Sequence, residues 1–246
     1  LYFRAFDEKF IEEIRSYAIN YFRKILSNLG WEPQKSDKHT DALLRTFTIA
    51  VLGKMNDDAV TVEAIKKYHK FLKSPSSLSP DLIETICSIA AWNGNSKTFA
   101  ELKKLYTNAK TMEEKLRFLG AMCGFQDKKL LVKTLNFSQT SEVRSQNMQL
   151  PIMKIAGNPY GEKVLWPWLK KNWKNINKKV GHGNPLFNRI VASIAGVADD
   201  SMENEIKLFF KNNPTPGTER TQSQTLERIR INSKFLRTMR KEFKNG

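Results

Sequence analysis

Five times along this chain an apolar helical stretch ends at a glycine, and a new helix opens within a few residues on Asp, Asn or Ser. The five turns read GKMNDDAV from Gly53, WNGNSKTF around Gly94, GFQDKKLL from Gly124, GNPYGEKV from Gly157 and GVADDSME from Gly196. Intervals of roughly thirty to forty residues are the length of one helical hairpin repeat. A single hairpin cannot bury its own apolar face, but a stack of them buries a continuous core. No Asn-Gly hairpin lies between alternating apolar residues, and no convincing Val/Ile/Thr run appears, so strands have no signal.

The pattern predicts an all-α protein, a superhelical arc of stacked antiparallel helical hairpins: an α-solenoid of the HEAT or armadillo kind. Helices are expected over Asp7–Asn28, Asp41–Lys54, Asp57–Leu72, Asp81–Trp92, Ser96–Asn108, Met112–Phe125, Asp127–Asn136, Ser141–Ala156, Tyr160–Lys178, Pro185–Val197 and Ser201–Asn212. In the first, Phe10, Ile11, Ile14, Tyr17, Ala18, Tyr21, Ile25 and Leu29 share one side, and Gly30 ends it. Pro214, Pro216 and Gly217 then stop the chain after Phe209 and Phe210, because proline cannot donate into a helix and glycine relaxes the turn. Thr218 and Glu219 open a last long helix with Leu226, Ile229, Phe235, Leu236 and Met239 at helical spacing. Its opposite face holds Arg220, Arg228, Arg230, Arg237 and Arg240. Pro151 and Pro167 fall inside apolar helical patterns, so kinks or restarts are expected near both, with Pro167 opening a helix at Trp168. Trp166, Trp168 and Trp173 read as packing between hairpins.

The formal net charge of +16 is unevenly placed: from Lys128 to Val180 eleven Lys and Arg face only Glu142 and Glu162. Such a stripe attracts phosphates or carboxylates, and a solvated lysine-rich surface gives the same count. Cys87 and Cys123 lie on apolar helical faces and read as buried free thiols, which fits a reducing, cytoplasmic setting. No run of eighteen apolar residues exists, so no membrane contact is expected of this chain. It opens at Leu1 without a Met and reads as a fragment, so missing targeting signals say little about a parent protein; Leu1–Phe6 has no assignable structure.

Catalytic chemistry has no foothold. His39, His69 and His182 are far apart, none with a second His four residues away, and the two Cys are not in CxxC spacing. There is no Walker loop, no GxGxxG and no GxSxG. His39 reads as a loop residue before a helix, His69 as an exposed position on a basic helix, and His182, between two glycines, as part of a surface turn. The acid pairs Asp57–Asp58 and Asp199–Asp200 sit at helix starts, where the macrodipole accounts for them. Gly120–Gly124, GAMCG, resembles an exopeptidase peptide-binding motif, but Cys123 stands where that motif has glutamate, and it reads as packing within a helix.

Six segments in order resemble one family. They are LGWEP from Leu29, DALLR from Asp41, EEKLRFLGAM from Glu113, SEVRSQNMQLPIMKIAGNPYGEKVLWPWLKKNW from Ser141, GHGNPLFNRIVASIAG from Gly181 and FFKNNPTPGTERTQSQTLERIRIN from Phe209. Together they look like the C-terminal helical domain of the gluzincin zinc aminopeptidases, the family of aminopeptidase N, the endoplasmic-reticulum and puromycin-sensitive aminopeptidases and the tricorn-interacting factors. The resemblance implies that residues 1–246 form a single C-terminal helical domain lacking its first helices. It further implies a non-catalytic lid over a zinc active site in the parent's own catalytic domain, with peptides as substrates. The family's HExxH and Gly-x-Met-Glu-Asn motifs are absent, so no cofactor is expected in this chain and zinc only in the parent's catalytic domain, which with the β-sandwich lies outside this sequence. On that reading Arg144, Gln146, Arg189 and Arg228 are the candidates to hold a peptide's C-terminal carboxylate. Structural ion pairs are the alternative for each. A basic HEAT-like nucleic-acid-binding or scaffold protein is the rival reading of the whole chain.

Overall fold

The computed structural model describes residues 8–181 and 184–242. Among them regular structure is helical throughout, with twelve α-helices and short 3₁₀ turns. The helices divide into two compact units with the boundary at Gln126 and Asp127.

The first unit contains α1 (Glu8–Leu29), α2 (His39–Lys54), α3 (Asp58–Lys73), α4 (Pro80–Trp92), α5 (Ser96–Asn108) and α6 (Met112–Ala121). Successive helices pair as α1–α2, α3–α4 and α5–α6, while α2, α4 and α6 pack in a row. Local sequence sets the boundaries. The Asp57 carboxylate caps α3 by accepting from the Val60 amide, Pro80 fills the first position of α4, and Thr111 with Glu114 forms a reciprocal capping box on α6. The core between the layers is aliphatic and aromatic, with Ile49, Leu52, Ala64, Ile86, Leu102 and Leu119 fully or almost fully buried.

The second unit repeats the plan with α7 (Lys128–Ser138), α8 (Gln149–Ala156), α9 (Glu162–Val180), α10 (Pro185–Ser193), α11 (Glu203–Asn212) and α12 (Glu219–Glu242). Here α8, α10 and α12 form the row, and α7 lies beside α9 in the other layer. Trp166 and Trp173 pack edge-on against Phe209 and tie α9 to α11; Trp173 also meets Phe187 and Phe210. Each aromatic contact of this kind adds about 1 kcal/mol to area burial. Trp168 reaches the other way, its Nε1 donating to Asn136 Oδ1 of α7 at 2.8 Å.

Several expectations need correcting. The recurrent glycines stand at helix ends as expected, Gly157 as the C-cap of α8 and Gly94 in the turn after α4, but two of them also do something the turns do not explain. Gly53 lies within α2, where a Cβ would stand 2.5 Å from Ile89 of α4, and a Cβ on Gly196 would stand 2.8 Å from the Ala156 carbonyl oxygen. These two mark close approach between neighbours in a row, which only a residue without a side chain permits. Ser141–Ala156 is not one helix: the chain turns through Arg144, forms a 3₁₀ turn at Ser145–Asn147, and starts α8 at Gln149, so Pro151 sits in a first turn where it costs little. Pro167 opens nothing. It lies inside continuous α9 on the exposed side, where water can serve the carbonyl it leaves unbonded. On α1 Phe10, Ile11, Ile14, Ala18, Ile25 and Leu29 are half-buried on the expected side, but Tyr17 is 75% exposed and Tyr21 55%, while Leu26 is buried. On α12 Ile229 and Leu236 are buried as expected, but Phe235 is exposed and Thr225 and Ser233 face inward.

Candidate functional site

The four residues singled out for carboxylate binding all fall on, or at the entrance to, the row α8–α10–α12. Arg144 ends the extended approach to the 3₁₀ turn, Gln146 lies within that turn, Arg189 is in α10 and Arg228 in α12. All four are exposed. The expectation that Arg144 and Gln146 belong to a helix is corrected: both precede α8.

Register along the row follows from its cross-links. Thr221 Oγ1 donates to Asn188 Oδ1 at 2.6 Å, and Asn232 Nδ2 to the Ala195 carbonyl at 3.2 Å, so α10 and α12 run parallel. With 100° per residue, Thr221, Thr225 and Asn232 face α10, whereas Arg230 and Arg237 face the other layer. Arg228 falls on α10's side, about one turn further along the row than Arg189. In α10, Arg189 shares a face with Gly196, the residue that meets Ala156 of α8. Arg144 and Gln146 stand just before the start of α8 at Gln149.

The structural-ion-pair alternative can be tested cation by cation. Arg230 makes a two-pronged bond to Glu203, at 2.8 and 2.7 Å, with Lys207 on the same carboxylate, and together they hold that carboxyl down at about 2. Arg237 pairs with Asp200 and depresses it as well. These bonds fasten α12 to α11 and its leading turn. Arg144, Arg189 and Arg228 have no carboxylate within ion-pair distance among the described residues.

Two residues near this end were invisible as site components in the sequence. Lys179 of α9 donates to the Thr140 carbonyl at 2.8 Å and lies 3.4 and 3.5 Å from those of Val143 and Ser138. It pins the loop that delivers Arg144, and desolvation pulls its pKa below the usual lysine value. Gln149 places Oε1 in the interior at the start of α8 without a donor among the described residues. Neither has a motif; each is defined by residues 30 or more positions away or by burial.

The remaining chemistry is structural. His39 is the first residue of α2, not a loop residue, His69 is exposed on α3, and His182 lies outside the described residues, as does Leu1–Phe6. Both cysteines are free and buried. Burial drives the Cys87 thiol well above its ordinary range, and Cys123 Sγ donates to the Leu119 carbonyl at 3.2 Å. Cys123 stands in a 3₁₀ turn that ends α6, not inside the helix. No three His, Cys, Asp or Glu side chains gather to hold a metal among the described residues, so nothing there matches a zinc donor set.

Among the described residues regular structure is all-helical, and the exposed Arg144, Arg189 and Arg228 have no ion-pair partner. Residues 2–231 match the family described as the ERAP1-like C-terminal domain, and the chain belongs to that family. It is similar to Aminopeptidase M1-B of Oryza sativa subsp. japonica, 27% identical over 235 residues, covering 94% of this chain and 27% of that protein. Aminopeptidase M1-C of the same plant is 30% identical over 240 residues, with 94% and 27% covered. Aminopeptidase 2, mitochondrial, of Saccharomyces cerevisiae is 25% identical over 231 residues, with 92% and 24% covered. The chain thus spans about a quarter of the length of these curated relatives.

Proposed function

We propose that this chain is the C-terminal lid of a zinc metallo-aminopeptidase that removes N-terminal residues from peptides. The single observation supporting it most strongly is the family match over nearly the whole chain, combined with relatives all named as aminopeptidases. In this reading the lid packs on the parent's own catalytic domain, which supplies zinc to polarise the scissile carbonyl, and this chain contributes no reacting group. Its part is to receive the far end of the peptide. Arg189 and Arg228 on α10 and α12, with Arg144 and Gln146 ahead of α8, offer guanidinium and amide donors to a C-terminal carboxylate, and opening and closing of the lid gates entry and release. The two free buried thiols support a reducing, cytoplasmic setting.

The test is kinetic. In the parent enzyme, Arg189→Ala should raise KM for long free-acid peptides while leaving a single-residue aminoacyl-coumarin unaffected, since only the former reaches the lid. An unchanged KM for long peptides removes Arg189 from the site. Metal-free hydrolysis of the coumarin by residues 1–246 alone would overturn the lid reading.

A further inference from the structure

The other layer of the second unit holds a different cationic surface. On α9, Trp168, Asn172 and Lys179 face α7, and Trp166, Lys170 and Trp173 face α11. The helical strip between those two sides, pointing away from the row α8–α10–α12, contains Lys163, Pro167, Lys171, Lys174 and Lys178. All five are exposed, and none of the four lysines has an ion-pair partner among the described residues. From Lys163 to Lys178 the strip runs about 22 Å at 1.5 Å per residue. Parallel α7, whose Asn136 is level with Trp168, continues it with exposed, unpaired Lys129 and Lys133. The nearest carboxylate at the edge, Glu205, is already bonded to Lys170 and the Trp166 indole; Glu162 and Glu142 are the others on these segments.

We propose that this face is an electrostatic contact surface for anionic phospholipid headgroups. Its composition selects among polyanions. Every cation on the strip is lysine, a hydrated point charge suited to a diffuse anionic field, and there is no arginine to fork onto a base edge or a single phosphate. Stacking platforms for single-stranded nucleic acid are missing as well, because Trp166, Trp168 and Trp173 are all buried. Lysine is depleted from protein–protein interfaces, whereas clusters of four to eight basic residues on an amphipathic helix suit a negatively charged leaflet. Leu208 on neighbouring α11 is 58% exposed, an apolar side chain available beside the charged strip. No helix among the described residues is long and apolar enough to cross a membrane, and that stands. The earlier expectation of no membrane contact is what changes, since peripheral contact through charge needs no span. The inference uses a different face from the carboxylate site and does not depend on it.

Co-sedimentation of the 246-residue chain with phosphatidylcholine vesicles, with and without phosphatidylserine, tests this. The chain should bind the phosphatidylserine vesicles at low salt and release at high salt. Each lysine contributes about fivefold, so the quadruple variant K163Q/K171Q/K174Q/K178Q should weaken partitioning several hundredfold. A control variant neutralising exposed Lys73, Lys97, Lys104 and Lys110 of the first unit should stay close to the original, and unchanged circular dichroism melting confirms that both variants fold. Equal loss in the control, no binding to the charged vesicles at low salt, or duplex DNA binding tighter than vesicle binding and abolished by the same four substitutions would each overturn the proposal.

Discussion

The two units use positive charge differently. By sequence, residues 8–126 contain 18 Lys and Arg against 14 Asp and Glu, while residues 127–246 contain 22 against 10. In the first unit, the cations that matter to folding are committed. Arg45, 1% exposed, donates to the carbonyls of Leu29 and Gly30 and to Asp37 at 2.7 Å, closing the polar loop after α1 onto α2. Arg23 holds the buried Asp57, and Lys67 bridges to Glu32 and Glu63. In the second unit Glu203, Asp200 and Glu205, on α11 or its leading turn, are taken by Arg230, Lys207, Arg237 and Lys170. Arg144, Arg189, Arg228 and the α9 lysines Lys163, Lys171, Lys174 and Lys178 have no ion-pair partner among the described residues. The first set is bound into the fold; the second makes no ion pair among the described residues.

That contrast can be broken at several points. Trp173→Ala should do most damage, since it empties the aromatic junction among Phe187, Phe209 and Phe210; a loss of about 4 kcal/mol is expected in urea unfolding of the second unit. Arg45→Ala comes next. It strands two buried carbonyls and Asp37 and should cost about 3 kcal/mol in the first unit, read in the same experiment. Gly53→Ala drives a methyl into Ile89 and should cost roughly 1–3 kcal/mol through overpacking. Acid titration should give a smaller effect. Because Arg230 and then Lys207 hold Glu203 at about 2, below its ordinary 4.5, its contribution is fully present above pH 4.5 and is lost as pH falls towards 2. Arg230→Ala should therefore flatten the melting temperature across that window. Smallest of all, Arg144→Ala, Arg189→Ala and Arg228→Ala should each change stability by less than about 0.5 kcal/mol. A loss comparable with Arg45→Ala would make the arginine a structural residue after all.

Helical class and hairpin order were legible because apolar spacing and caps are local: Asp57 and Thr111 announce helix starts that the structure keeps. The glycine recurrence was visible but the close approach at two of its positions was not, since contact between Gly53 and Ile89 joins residues 36 apart. Tyr17 and Tyr21 of α1 were misjudged because they are apolar enough to read as core, yet no neighbouring helix covers them among the described residues. For the candidate site, the arginines were nameable from the family resemblance, but their freedom from ion pairs was not. Arg228 and Arg230 look alike in sequence; only the position of Glu203 against α12 separates them. Lys179 and Gln149 emerged from tertiary contacts alone.

Peptide-end discrimination tests the central claim most directly. Fluorescence anisotropy should be measured for one labelled peptide as free acid and as C-terminal amide, against the original chain and the triple variant Arg144→Ala, Arg189→Ala, Arg228→Ala. The arginine row predicts that the original chain prefers the acid by about tenfold, the scale of one charged hydrogen-bonded contact, and that the variant binds both forms alike. Equal binding of acid and amide by the original chain, or an acid preference that survives in the triple variant, would contradict it.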